Sequence, residues 1–134
     1  MKILSFQAER FGWKAFSQTL EDADPASEGT VAEAAVIWLH VEPRDADNRS
    51  RAMKYSLKHI KWLANKRGLN NIVLHSFAHL GGETADADFA RQFLADLADR
   101  LSGKYDVTQT PFGWFCSWDL AIYGDSMAKV FKSF

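Results

Sequence analysis

Apolar and polar residues alternate from Lys2 to Ala8, and aromatics continue the alternation from Gly12 to Ser17, which predicts two strands joined by a short turn, a hairpin. Glu21 to Thr30 gathers Asp, Pro, Ser and Gly without periodicity and reads as a surface loop with solvated acids. Val31 to Val41 is nearly continuously apolar in its later half, as a strand covered on both faces would be, so it is placed centrally in the sheet. Between about Asp47 and Arg67, Met53, Leu57, Ile60 and Leu63 or Ala64 recur at helical spacing, and Gly68 stands at a C-cap position. A short apolar strand, Asn70 to His75, follows, and strand–helix–strand order implies a crossover between parallel neighbours. A second amphipathic helix runs from about Asp86 to Ser102, with Phe89, Phe93, Leu94, Leu97 and Leu101 inward. Strand character returns at Tyr105 to Thr108, Gly113 to Ile122 and Met127 to Phe134, the last two predicted to form a closing hairpin about Tyr123-Gly124-Asp125. The pattern gives an α/β class: one domain, residues 1–134, a mixed β-sheet with two helices packed on one face.

Two segments suit neither strand nor helix. In Ser76-Phe-Ala-His-Leu80 an apolar run opens into a loop ending at Gly81-Gly82, where backbone N–H groups are free to face a ligand. In Thr110-Pro-Phe-Gly-Trp-Phe115, Pro111 fixes φ and Gly113 removes a side-chain wall just before a strand. Each breaks a regular element where a pocket could form.

Composition narrows the classes. A hydrophobic fraction of 47% with 25% charged residues is globular, so disorder is excluded. Sixteen Lys and Arg against 17 acids leave a net charge of −1, so any nucleic-acid contact has to be local. The single cysteine, Cys116, excludes an intramolecular disulfide and makes a reducing cytoplasm the expected location. No apolar run reaches the ~18 residues of a membrane span. The scattered histidines and lone cysteine give no metal-ligand spacing, and no cofactor motif is present, so neither a metal nor a cofactor is expected.

The opening strand Lys2-Ile-Leu-Ser-Phe6, Val41-Glu42 at the end of the central strand, Phe77-Ala-His-Leu80 and Pro111-Phe-Gly113, in this order and spacing, resemble the N-terminal editing domain of archaeal-type threonyl-tRNA synthetases. The resemblance covers nearly the whole chain. It implies a D-aminoacyl-tRNA deacylase-like fold, dimerisation through the sheets, and hydrolysis of a mischarged aminoacyl-tRNA, seryl-tRNA for threonine first, by water attack on the ester. The 3′ end of aminoacyl-tRNA and threonyl-tRNA synthetase are the implied partners. A chain of this extent, without the other synthetase parts, is expected to act in trans. Substrate-binding positions carried over are Val41, Glu42, Phe77, Ala78, Pro111, Phe112, Gly113 and Phe115, with His79 at the reacting centre.

The chain also departs from that pattern. After Pro-Phe-Gly the family has two tyrosines and a lysine, where this chain has Trp114, Phe115 and Cys116; the family's glutamate on the closing strand is Lys129. Lys129 is therefore a candidate for the missing cationic role, against the alternative of an ordinary solvated lysine. Cys116 is either a nucleophile activated beside His79 or a small buried hydrophobe. Lys54, Lys58 and Lys61, in a basic run along the first helix, either meet tRNA phosphates or form a solvated face. Two further readings stay open: a non-catalytic module binding an amino acid, nucleoside or synthetase partner, and a deacylase of different aminoacyl specificity.

Overall fold

The computed structural model describes residues 1–134. Its sheet is built from β1 (Lys2–Gln18), β2 (Glu28–His40), β3 (Asn71–Ser76), β4 (Asp106–Gln109), β5 (Trp114–Ile122) and β6 (Lys129–Ser133). The spatial order is β4-β3-β2-β1-β5, with β6 also pairing with β1. Strands β2, β3 and β4 are parallel neighbours, and everything paired to β1 is antiparallel, so the sheet is mixed. A short helix α1 (Pro43–Asp47) leads into α2 (Arg49–Lys66), and α3 (Ala87–Leu101) follows β3. As expected, the two long helices cover one face: Ile3, Ile37, Leu39, Ile72 and Leu74 of the strands meet Ile60, Leu63, Phe93 and Leu97 in the main core.

Two expectations are corrected. The opening hairpin does not form; β1 is one strand of 17 residues. The polar interruption at Glu9-Arg10 marks a kink, where the register to β5 shifts and where Glu33 on the neighbouring strand takes φ 51°. Side-chain parity changes there: Phe6 and Ala8 before the kink and Phe11 after it enter the same apolar cluster. The closing hairpin is also absent. Strands β5 and β6 do not pair with each other but lie end to end along β1, β5 against Ala8 to Gln18 and β6 against Lys2 to Phe6.

The kinked β1 curls the sheet. Trp38 pairs with the strand at Leu4 and Trp118 with the same strand at Trp13. Those two positions would lie about 30 Å apart on a straight strand. Their partners' rings nevertheless stand 4.4 Å apart, centroid to centroid. Phe6 meets the Trp38 ring edge-on at 5.0 Å and Phe77 lies 5.1 Å from it, so aromatic packing fills the face opposite the helices.

The first residue is buried and fully hydrogen-bonded. The Met1 ammonium donates to Glu42 Oε1 (2.5 Å), Asp45 Oδ1 (2.9 Å) and the Phe134 carbonyl (2.8 Å), and Lys2 Nζ donates to Glu42 Oε2 (2.9 Å). Burial works against ionisation of Glu42, but the hydrogen bonds from the Met1 ammonium and Lys2 outweigh it and bring its pKa from 4.5 down to about 2. A folded pKa below the unfolded one contributes stability that is complete above pH 4.5 and is lost as pH falls toward about 2. Glu42→Gln should therefore cost roughly 3 kcal/mol at neutral pH, because a buried ammonium loses one of its two carboxylate partners and Lys2 loses its only one. Urea denaturation across the acid range checks this: the variant should lose the acid-dependent part of its stability over that window, and an unchanged acid profile would assign that loss to other groups.

Candidate functional site

Beyond β3 the chain turns into the segment Phe77 to Ala85, which β2 holds from behind. The buried His40 accepts the Leu80 N–H at Nδ1 (3.1 Å), which fixes its proton on Nε2, and that N–H donates to the Glu83 carbonyl (3.0 Å). Ala85 N–H donates to the Val41 carbonyl at 2.9 Å, and Phe77 N–H to the Leu39 carbonyl at 2.9 Å. Gly81 and Gly82 take φ of 104° and 78°, and Lys2 Nζ caps the Gly81 carbonyl at 2.6 Å. The N–H groups of Ala78 and His79 have no acceptor within the chain. The loop is thus fixed at both ends, while the N–H groups of Gly81, Gly82, Glu83 and Thr84 are left over as well.

The second segment is fixed by the loop between β1 and β2. Asp24 accepts the Phe112 N–H at Oδ2 (2.8 Å) and the Trp114 Nε1–H at its carbonyl (2.7 Å), and its own N–H donates to the Phe112 carbonyl (3.0 Å). Arg91 of α3 pairs with Asp22 at 3.1 Å and lies 4.9 Å over the Phe112 ring. The loop acids expected to be merely solvated are therefore corrected: Asp22 and Asp24 tie this loop to the rest of the site. Gly113 has φ 87°, and a Cβ there would stand 2.8 Å from Ala23 Cβ.

Between the two segments lies a cavity of about 440 Å³, a size suited to a small ligand. Phe77, Ala78 and His79 form one wall, Pro111 to Cys116 another, and Ala87 and Ala90 at the start of α3 the third, with Trp118 and His75 completing it. No carboxylate, lysine or arginine lines it. His79 is exposed at the mouth, its ring 5.4 Å from Phe77 and 6.0 Å from Phe115. His75 is buried, and burial lowers its pKa to about 4, so the ring is neutral. Its Nδ1 stands 2.7 Å from Thr110 Oγ1, which also lies 3.5 Å from the Leu74 carbonyl, and its Nε2 has no hydrogen-bond partner in the chain.

The structure brings together Phe77, Ala78, His79, Pro111, Phe112, Gly113, Phe115 and Cys116. Val41 and Glu42 stand behind the loop rather than in the lining; the Val41 carbonyl anchors Ala85, and Glu42 is turned to the Met1 ammonium. Burial pushes the Cys116 thiol up, away from the thiolate, so it presents a protonated sulfur to the cavity. Lys129 opens β6 opposite Phe6, is exposed, and is outside the lining. Lys54, Lys58 and Lys61 are exposed on α2, away from the cavity. Sequence reasoning did not assign His75 to the site. Its only signal was parity: Val73 and His75 alternate with Ile72 and Leu74, which puts His75 on the face opposite the helices.

A family model described as the archaea-specific editing domain of threonyl-tRNA synthetase matches residues 1–134. The threonine–tRNA ligase editing subunit of Aeropyrum pernix is 30% identical over 137 residues, covering all of this chain and 32% of that protein. The threonine–tRNA ligase of Hyperthermus butylicus is 27% identical over 142 residues, covering all of this chain and 23% of that protein. The chain thus spans between 23% and 32% of the length of these two relatives. Among solved structures, the c-Myc DNA Unwinding Element Binding Protein superposes with a TM-score of 0.70 over 99% of this chain and 98% of that one at 12% identity, a likeness of fold. The likeness agrees with the expected α/β class, a mixed sheet with helices packed on one face.

Gly113→Ala should destabilise the chain by at least about 2 kcal/mol, since it adds both left-handed strain and a clash with Ala23. Gly124→Ala, with open space around it, should stay within about 0.5 kcal/mol. Chemical denaturation of the two variants side by side checks the pair; equal stabilities would show that the loop around Ala23 yields freely.

Proposed function

The chain belongs to the archaea-specific editing-domain family of threonyl-tRNA synthetase, and from that membership and the cavity's geometry we propose that it is a deacylase that hydrolyses mischarged aminoacyl-tRNA in trans, with seryl-tRNA for threonine as its first substrate. The observation that carries the reading is that one cavity is lined both by loop residues with unpaired N–H groups, Ala78, His79 and Thr84, and by a neutral imidazole held by Thr110.

The need for such an activity follows from energetics. A pocket shaped for threonine loses only ~1–3 kcal/mol on serine, a factor of ~10–200, so a second site has to remove the error. An aminoacyl ester is already activated, and its hydrolysis needs a placed water and donors for the developing oxyanion. In this reading the Ala78 and His79 N–H groups receive the oxyanion, while His75 Nε2 takes a proton from the water that adds to the carbonyl carbon. Collapse of the adduct breaks the bond to the ribose oxygen, which leaves with that proton. Cys116 and Phe115 serve as an uncharged wall, and His79 orients the ester at the mouth. Lys129 shares the sheet face of Phe6, so it remains available to the tRNA end but not to the carbonyl. A second copy covering the exposed Phe16 and Phe131 would give the homodimer that the family resemblance implies.

The test is a single-turnover deacylation series on seryl- and threonyl-tRNA, extended to other L- and D-aminoacyl esters, with a no-enzyme control. Seryl-tRNA should be hydrolysed at least tenfold faster than threonyl-tRNA. His75→Asn, which keeps a donor for Thr110 and lacks Nε2, should lower the rate by ~10²–10⁴. Because only neutral His75 can accept the proton, the wild-type rate should hold at mildly acidic pH and fall through an apparent pKa of about 4. Turnover of another ester would keep the mechanism and change the substrate. No acceleration on any ester would replace the enzyme by the pocket-bearing binding module.

A further inference from the structure

A second groove of about 440 Å³ lies where α2 meets β6 and shares no residue with the cavity above. Its walls are aromatic and its charge is positive. Tyr55 stands 5.7 Å from the Phe134 ring at one end, and Trp62 stands 5.8 Å from the His59 ring at the other. Both Tyr55 and Trp62 are 37% exposed, so their ring faces are open to the groove. Lys58 and Lys132 line the groove between them, and neither has a carboxylate partner. Arg51 and Lys54 flank the outer face of Tyr55 at 5.0 and 6.0 Å from its ring. The His59 ring is kept neutral by burial and by Lys132, with Nε2 3.0 Å from Ser5 Oγ, and offers a third flat surface.

Around the groove, residues 49–67 hold seven of the sixteen lysines and arginines and none of the 17 acids. Of the seven, only Arg49 and Arg67 are paired, with Asp96 and Asp125. A solvated helix face usually intersperses acids with its cations at i, i+4. Here five of the cations have no carboxylate partner, and the aromatic faces between them suit flat groups.

Resting on the reading that the chain acts on tRNA, we propose that this groove seats an unpaired nucleotide of the RNA away from its esterified end. The base stacks against Trp62 or Tyr55, and the flanking phosphates lie on Lys58 and Lys132. The groove thereby adds affinity for the polynucleotide without touching the ester.

Binding of deacylated tRNA is measured by fluorescence anisotropy over a range of salt, for wild type, Trp62→Ala, Trp62→Phe and the double variant Lys58→Gln/Lys132→Gln. Trp62→Ala should weaken binding roughly tenfold and Trp62→Phe should restore it. The double variant should reduce the slope of log affinity against log salt by about 1.4–1.8. Hydrolysis of an aminoacyl-adenosine, which cannot reach both sites, should be unchanged in all three. Wild-type affinity and salt slope in the variants would overturn the proposal, as would equal losses on aminoacyl-adenosine. Groove-dependent RNA binding without hydrolysis of any ester would leave it standing while removing the deacylase reading.

Discussion

The bend in β1 is the constraint on which the rest of the structure depends. A flat sheet would hold Trp38 of β2 and Trp118 of β5 about 30 Å apart along β1; the kink at Glu9 and Glu33 folds β5 toward β2 until their rings meet. The Trp118 edge then packs on His75 at 5.4 Å and on Phe77 at 5.5 Å. The same contact that buries apolar area on the face opposite the helices therefore closes one wall of the cavity. Folding energy and site assembly are here a single interaction.

Within that frame the two loops are held by different chemistry. His40 binds the first through both ring nitrogens, so one side chain sets the spacing of Leu80 and Glu83. Asp24 binds the second through its carboxylate, carbonyl and N–H together. Both brackets leave the lining free of formal charge. Recognition of a ligand there then falls to neutral polar groups and shape.

Much of this was legible in the sequence. Helical spacing placed α2 and α3 to within a residue or two, and the parallel strand–helix–strand order followed from it. The Phe-Ala-His-Leu and Pro-Phe-Gly segments did converge, since each breaks an element at the same end of the sheet. What was not legible depended on contacts distant in sequence. Glu9 and Arg10 look like a turn locally but lie in a bent strand whose hydrogen bonds continue on both sides. Met127 to Phe134 looks like the return arm of a hairpin, yet β6 pairs with Lys2 to Phe6 of β1, the stretch that β5 leaves unpaired. Asp24 resembles any loop acid until the segment 88 residues later supplies its partner.

The segregation of charge onto α2 has a kinetic side. Outside residues 49–67 the chain has nine cations against 17 acids, so a net charge near zero conceals a strongly cationic helix set in an anionic remainder. Such a molecule experiences a torque in the field of a polyanion before any contact is made, and turns that helix forward as it approaches. The orientation of the encounter is thus partly settled in solution, and the time spent searching the surface after collision is shortened accordingly.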